Sequence, residues 1–327
     1  MSKFHRRQFL IAASALLAAP LVAFAQAQEY PNKSIRFIVP YPPGGLADIM
    51  ARAIGQKLGD AWGKSVIVEN KPGANGAIGS EYVARQPADG YTILISIAST
   101  HAIAQHLYPK LPYDPFRDFV PVTQIAMAPI IMLVNAEVPV KNLKEFIDYA
   151  KSKNGVSYGT FGNGSIAHVY GELLNLVAGV NLVPVPYKGE GPALQDLAGG
   201  QIPAAFLSFA VAKAQILGGK VRPLAVTGPK RWQALPNVPT FAESGYPGLA
   251  VVGWFAVFAP TGTPKPIVDK LAAKCAAIVH SPDIVARLLD LGTEPVGNTP
   301  EEFAINWHSD SERFGEIIRR ANIKLDP

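Results

Sequence analysis

The chain has 327 residues, 30 Lys+Arg against 25 Asp+Glu, 49% apolar residues and one cysteine. That length is large for one ordinary core, so two domains are expected, and a single thiol excludes an intramolecular disulfide framework. No Lys/Arg-rich tract interleaved with aromatic residues supports nucleic-acid binding, and the 29 glycines and 29 prolines are spread among turns rather than gathered in a linker.

The first element reads as a secretion signal. A basic n-region carrying Lys3, Arg6 and Arg7 precedes an apolar run to Ala25, interrupted by Ser14 and Pro20. Ala23-Phe24-Ala25 offers an A-x-A cleavage site before Gln26, with Ala25-Gln26-Ala27 as the second choice. Arg6-Arg7 followed by Phe9-Leu10 resembles a twin-arginine signal, although His5 stands where that motif prefers Ser or Thr. The apolar run is short for a membrane span and contains Pro20, so cleavage is expected over an uncleaved anchor. Removing residues 1–25 leaves 27 basic residues against 25 acids, about +2. That balance gives no reason to bind nucleic acid or an anionic membrane surface.

Next comes the most informative stretch. Ile35, Phe37, Ile38 and Val39 predict a strand that ends at Pro40. Tyr41-Pro42-Pro43-Gly44-Gly45 is then a rigid turn, and a helix is expected over Leu46–Leu58. The N-terminus of that helix carries unpaired N–H groups and about half a positive charge, a seat for an anion. A turn that holds no ligand is the plain alternative. No Gly-Lys-Ser/Thr follows the glycines and the spacing lacks GxGxxG, so nucleotide binding is set aside. Asp48, in the first helical turn, is read mainly as a brace for the helix start and is kept as a candidate ligand contact.

Strand and helix signals then alternate, the pattern of parallel α/β sheets. Strands are predicted at Val66–Glu69, Thr92–Ser96, Ile130–Val134, Val156–Tyr158, Leu182–Val185, Ala204–Leu207, Pro223–Val226 and Val251–Phe258. Helices are predicted at Ala77–Arg85, Leu143–Lys153, Ser165–Val177, Pro192–Gly199 and Val211–Leu217. Beyond Pro264 helices dominate, with starts at Pro266, Ser281-Pro282-Asp283 and Thr299-Pro300-Glu301-Glu302. Cys275 lies on the apolar face Ile267-Val268-Leu271-Ala272-Ile278-Val279 and is assigned a packing role. The helical end has too few strands for its own sheet and is expected to pack back on the first one. The chain therefore divides into a signal peptide (1–25), a discontinuous lobe 1 (26–127 plus 252–327) and lobe 2 (128–251), with a two-crossing hinge and a ligand cleft between the lobes.

Lobe 2 contains counterparts of the opening turn. Val156-Ser157-Tyr158-Gly159-Thr160-Phe161-Gly162-Asn163-Gly164-Ser165 is a strand, a glycine-rich turn and a helix start, with Ser165 as a candidate N-cap. Val185-Pro186-Tyr187-Lys188-Gly189-Glu190-Gly191-Pro192 repeats the pattern. Two opposed helix N-termini suit the two ends of a dicarboxylate.

With these motifs in place, the sequence closely resembles the tripartite tricarboxylate transporter substrate-binding receptors, the Bug family of bacterial periplasmic proteins. The marks are Tyr30-Pro31 with Ile35–Pro40, Pro43-Gly44-Gly45-x-x-Asp48, Val68-Glu69-Asn70-Lys71-Pro72-Gly73-Ala74, Ala88-Asp89-Gly90-Tyr91-Thr92 and Tyr113-Asp114-Pro115. Gly162-x-Gly164-Ser165-x-x-His168, Pro186-Tyr187-Lys188-Gly189 and Val238-Pro239-Thr240 complete the set, which spans essentially the whole exported chain. The resemblance implies a type II periplasmic-binding-protein fold, α/β, with two lobes closing on a ligand. It also implies carboxylate capture by backbone N–H groups and water at Tyr41 to Gly45, with the loop around Gly162 to Ser165 (Asn163 included) facing it. At Ile95–His101 relatives often show a glycine-rich, polar run, whereas Ile97 and Ala98 make this wall more apolar beside Ser99 and Thr100.

Other candidates are weaker as single residues. His168 with Ser165 invites a nucleophile–base reading, but nothing near them resembles a nucleophile elbow, and a hydrogen-bonding wall residue is the simpler role. Lys188 is the cation inside a matched motif, with a solvated loop lysine as the alternative, and Ser208 follows a strand whose end can reach the cleft. His101 and His106, at i and i+5, do not share a helical face, so no metal site is expected, and no cofactor. The reading is an exported, monomeric receptor for a small organic carboxylate, with no catalysis, that delivers it to membrane permease subunits. Its rivals are a receptor that signals to a sensor protein and an enzyme on the same scaffold.

Overall fold

Ile35, Phe37, Ile38 and Val39 are wholly buried in β1 (Ile35–Val39), the continuous apolar run of a strand covered on both faces. The computed structural model describes residues 30–325, and the expected signal peptide over residues 1–25 lies outside the described residues. From Lys33 onward the chain belongs to one unit built on two sheets.

In the first sheet β1 lies parallel to β2 (Val66–Asn70) and β3 (Thr92–Ile97), in register Ile35↔Val66 and Arg36↔Thr92. β10 (Gly253–Pro260) then runs antiparallel between β3 and β4 (Phe119–Ala128), and the two-residue β11 (Glu294–Pro295) closes the far edge. The second sheet repeats this plan. β7 (Leu182–Pro186), β6 (Val156–Thr160) and β8 (Ala204–Ser208) are parallel, and β5 (Ile130–Asn135) runs antiparallel between β8 and β9 (Val221–Val226). In each sheet the antiparallel strand is the one whose chain has just come from the other sheet. Pro129 alone separates β4 from β5, while residues 227–252 lead from β9 to β10. The hinge therefore has two crossings, held together where Ile130 N–H donates to Thr227 Oγ1 (3.0 Å) and Thr227 N–H returns to Ile130 O (3.0 Å).

The longer helices are named α1 to α9. α1 (Leu46–Trp62) buries Leu46, Met50, Ile54 and Leu58 at helical spacing and stops at Gly63, whose left-handed φ of 60° closes the last turn. α2 (Ala77–Ala84) and α3 (Leu143–Lys151) follow. α4 (Ile166–Ala178), α5 (Glu190–Ala198) and α6 (Phe209–Leu217) each follow a strand of the second sheet. α7 (Lys265–Val279), α8 (Pro282–Asp290) and α9 (Pro300–Arg320) form the helical end, and α7 and α9 pack back on β4 of the first sheet. Cys275 is buried in α7, where loss of water pushes its thiol up to about 12, and it acts as a packing residue. A full capping box, Thr299 with Glu302, starts α9. That helix lays Phe303 and Trp307 against Trp254 and Phe258 of β10, and burial of each such ring contributes roughly 2–3 kcal/mol.

Candidate functional site

A cavity of about 500 Å³ lies between the sheets, at the ends of strands and the starts of helices. Its floor is the turn from β1 to α1: Tyr41, Pro43, Gly44, Gly45, Leu46 and Ala47 all line it. Gly44 holds φ at +83°, a conformation that favours glycine, and its N–H donates to Asp48 Oδ2 (3.0 Å). Gly45 caps α1 in an extended conformation with no side-chain acceptor, and the first intrahelical bond runs from Ile49 N–H to Gly45 O (3.0 Å). The N–H groups of Leu46 and Ala47, two residues that line the cavity, have no partner among the described residues and stand at the positive end of a 17-residue helix.

Asp48 is buried behind this turn rather than on the cavity wall. Its carboxylate accepts from Gly44 N–H, Arg52 Nε (3.0 Å) and Asn70 Nδ2 (3.0 Å). Burial alone would raise its pKa, but these hydrogen bonds and the Arg52 charge outweigh burial and hold the carboxyl below its ordinary value. Tyr41 presents its ring to the cavity while its hydroxyl bonds Thr100 Oγ1, and burial pushes the phenol up. Thr100 is fully buried behind Tyr41, off the wall.

The second lobe places the predicted residues differently from the sequence expectation. Gly162, Asn163, Gly164, Ser165 and His168 do not line the cavity, because this loop is used for packing between the lobes. Tyr108 Oη donates to Asn163 O (2.8 Å), and a Cβ on Gly164, at φ +71°, would lie 3.0 Å from that hydroxyl. The N-terminus of α4 is partly capped by the protein: Ile166 N–H donates to Ser99 Oγ (3.0 Å) and His168 N–H to Ser165 Oγ (3.4 Å), while Gly164 N–H, ahead of the helix, donates to His168 Nδ1 (3.2 Å). Burial lowers the His168 pKa against the opposing pull of Glu172, whose Oε1 is 3.8 Å from Nε2. Tyr187 also points away, donating to Asp196 Oδ2 (2.7 Å), and burial together with that carboxylate pushes it up to about 12.

Lys188 and Ser208 do line the cavity, with the α5 start Gly189, Glu190, Gly191 and Pro192. Lys188 is exposed at the rim. Both oxygens of Glu190 accept from Ser208, Oε1 from its N–H (2.6 Å) and Oε2 from its hydroxyl (2.9 Å). Burial pushes the Glu190 carboxyl up, with the two Ser208 bonds opposing. The predicted Ser99 also lines the cavity, and the wall is otherwise mainly apolar, with Ile97, Ala98, Ala128, Ile130, Phe161, Ile166, Ala210, Val211, Trp254 and Phe255. Trp254 is fixed from behind by its Nε1–H on Asp310 Oδ2 (3.1 Å), a carboxyl that burial raises to about 6.

This geometry, an open helix start facing an apolar two-lobed cleft, meets the comparisons with known proteins. Residues 50–323 match the family model described as the tripartite tricarboxylate transporter family receptor. The chain belongs to that family. BugT of Bordetella pertussis is 36% identical over 315 residues, covering 96% of this receptor and 95% of BugT. The solved structure of R. palustris Rpa4515 with adipate matches at a TM-score of 0.87 and 36% identity, over 90% of this receptor and 99% of that chain. That of periplasmic binding protein BugD matches at 0.84 and 35% identity, over 91% and 100%. The receptor has the two-lobed periplasmic-binding fold and is a solute-binding protein rather than an enzyme.

Several wall residues escape a sequence reading. Glu190 shows its role only through Ser208, 18 residues on, and Trp254 and Phe255 reach the cleft through the return crossing. An acid placed directly after a helix-starting glycine was the available signal for Glu190. Among the described residues no group of three His, Cys, Asp or Glu is placed to hold a metal ion.

Proposed function

We propose that the receptor captures a small organic carboxylate in the periplasm, seats its carboxylate on the Leu46 and Ala47 N–H groups at the start of α1, and presents the closed form to membrane subunits of a tripartite transporter. The observation that carries this reading is the α1 N-terminus at the floor of the cavity, whose first N–H groups have no protein acceptor among the described residues, whereas at α4 the Ile166 and His168 N–H groups are taken by Ser99 and Ser165. The adipate bound by Rpa4515 supports the ligand class. Lobe 1 (26–127 plus 252–327) and lobe 2 (128–251) close about the crossings at Pro129 and at Val251 to Gly253, a division supported by the strand membership of the two sheets. Export by a cleavable signal over residues 1–25 and a monomeric state belong to the same proposal.

The test is a thermal-shift screen of the mature protein against mono- and dicarboxylates, each paired with its amide. Stabilisation is expected to grow as RT ln(1 + [L]/Kd), about 2.7 kcal/mol at a hundredfold excess over Kd, for acids and not for amides. Equal shifts by acids and amides, or none by either, would remove the reading.

A further inference from the structure

The two lobes differ in the charge beside their helix starts. In lobe 1 the first N–H groups of α1 belong to residues that line the cavity and have no acceptor among the described residues. In lobe 2 a carboxylate of the protein itself stands beside a helix start. Glu190, on the cavity wall, accepts the N–H and the hydroxyl of Ser208, the residue that caps α6, so an internal carboxylate lies against that cap. Among the described residues no Lys or Arg compensates it: burial and Ser208 act on its ionisation, and Lys188, two residues away, is exposed at the rim. Each carboxylate oxygen keeps further acceptor capacity beyond its single bond to Ser208. The space between the two ends is walled by Ile97, Ile130, Phe161, Ile166, Trp254 and Phe255.

A ligand with a second carboxylate at this end would set two like charges together out of water. A ligand ending in a hydrogen-bond donor would instead satisfy a desolvated acceptor. Resting on the carboxylate-receptor reading, we propose that Glu190 sets selectivity: the cleft takes a ligand with one carboxylate, an apolar body and a donor-bearing far end, ammonium or hydroxyl, and rejects a second carboxylate there.

Calorimetric titration of the mature receptor with two matched sets tests this. One set is adipate, hexanoate, 6-hydroxyhexanoate and 6-aminohexanoate; the other is terephthalate, benzoate, 4-hydroxybenzoate and 4-(aminomethyl)benzoate. In at least one set the hydroxy or amino acid is expected to bind about tenfold or more tighter than the dicarboxylate. Glu190→Gln keeps the shape and removes the charge, and is expected to tighten the dicarboxylate and weaken the amino acid by about tenfold each. A wild-type receptor that prefers the dicarboxylate overturns the proposal whether or not the variant folds, and so does an E190Q ranking identical to wild type. Failure of every acid in both sets would instead remove the carboxylate reading beneath it.

Discussion

Both oxygens of Asp48 are engaged by the protein, which ties Gly44 at the turn to Arg52 one helical turn on and to Asn70 on the neighbouring strand. Asp48→Ala leaves the Gly44 N–H without its acceptor and Asn70 Nδ2 with Tyr41 O alone, and a loss of about 1–3 kcal/mol in urea unfolding is expected. Because the folded pKa is depressed, this contribution is present above the unfolded value of about 3.9 and disappears as pH falls through the folded value. His101 acts in the same direction, over a higher pH window. Its ring stacks on Phe258 (4.4 Å) and meets Phe119 edge-on (4.8 Å), neither ring nitrogen has a hydrogen bond, and burial lowers its pKa to about 3. Between the unfolded value of about 6.5 and a folded value of about 3, the unfolded chain takes up a proton that the native state refuses. This residue alone therefore lowers stability by up to about 1.4 kcal/mol per pH unit as pH falls through that window. In His101→Phe this part of the acid slope should vanish when urea midpoints are compared at several pH values between 7 and 4, and an unchanged slope would contradict the assignment. The bracing role of Asp48 was legible because its partners include its own helix start. The aromatic box around His101 was not, since Phe119, Phe258 and Trp307 come from distant segments.

At the scale of elements, α4 shows how tightly the second lobe is packed. A Cβ on Gly171 would stand 2.1 Å from the Tyr158 ring, whose hydroxyl bonds His168 O (3.2 Å). Gly171→Ala is expected to lower stability by about 2–3 kcal/mol despite the better helix propensity of alanine, and a melting temperature at or above wild type would refute this packing. Most strands and helices were legible because each carries its own period: β1 as an apolar run, α1 as a helical stripe ended by glycine. β4 was not. Pro121, Thr123 and Gln124 break any local alternation, and the strand forms because β10 pairs along it, with register shifts opposite Phe255/Ala256 and Val257/Phe258. The first jaw of the site was legible for the reason β1 was, being one continuous strand, turn and helix. The second was misplaced between two similar glycine turns, because the capping of α4 by Ser99 is a contact between lobes.

For the whole molecule, closure depends on what crosses the cleft. The Ile166 N–H bond to Ser99 Oγ is a buried contact between the lobes, whereas Tyr108 Oη to Asn163 O is exposed and Lys213–Asp290 is an exposed ion pair of small expected weight. Ser99→Ala should raise the ligand Kd by about tenfold and enlarge the ligand-bound radius of gyration in small-angle scattering, while Lys213→Ala should change neither by more than about twofold. In the proposed mode of binding the carboxylate sits on the first N–H groups of α1. The most direct measurement is a two-dimensional amide NMR titration of the mature receptor with a binding acid and with its amide. The Leu46 and Ala47 amide protons are expected to move downfield with the acid and stay in place with the amide. Stationary Leu46 and Ala47 resonances, with the largest acid-dependent shifts at Gly162 to Ser165, would contradict it.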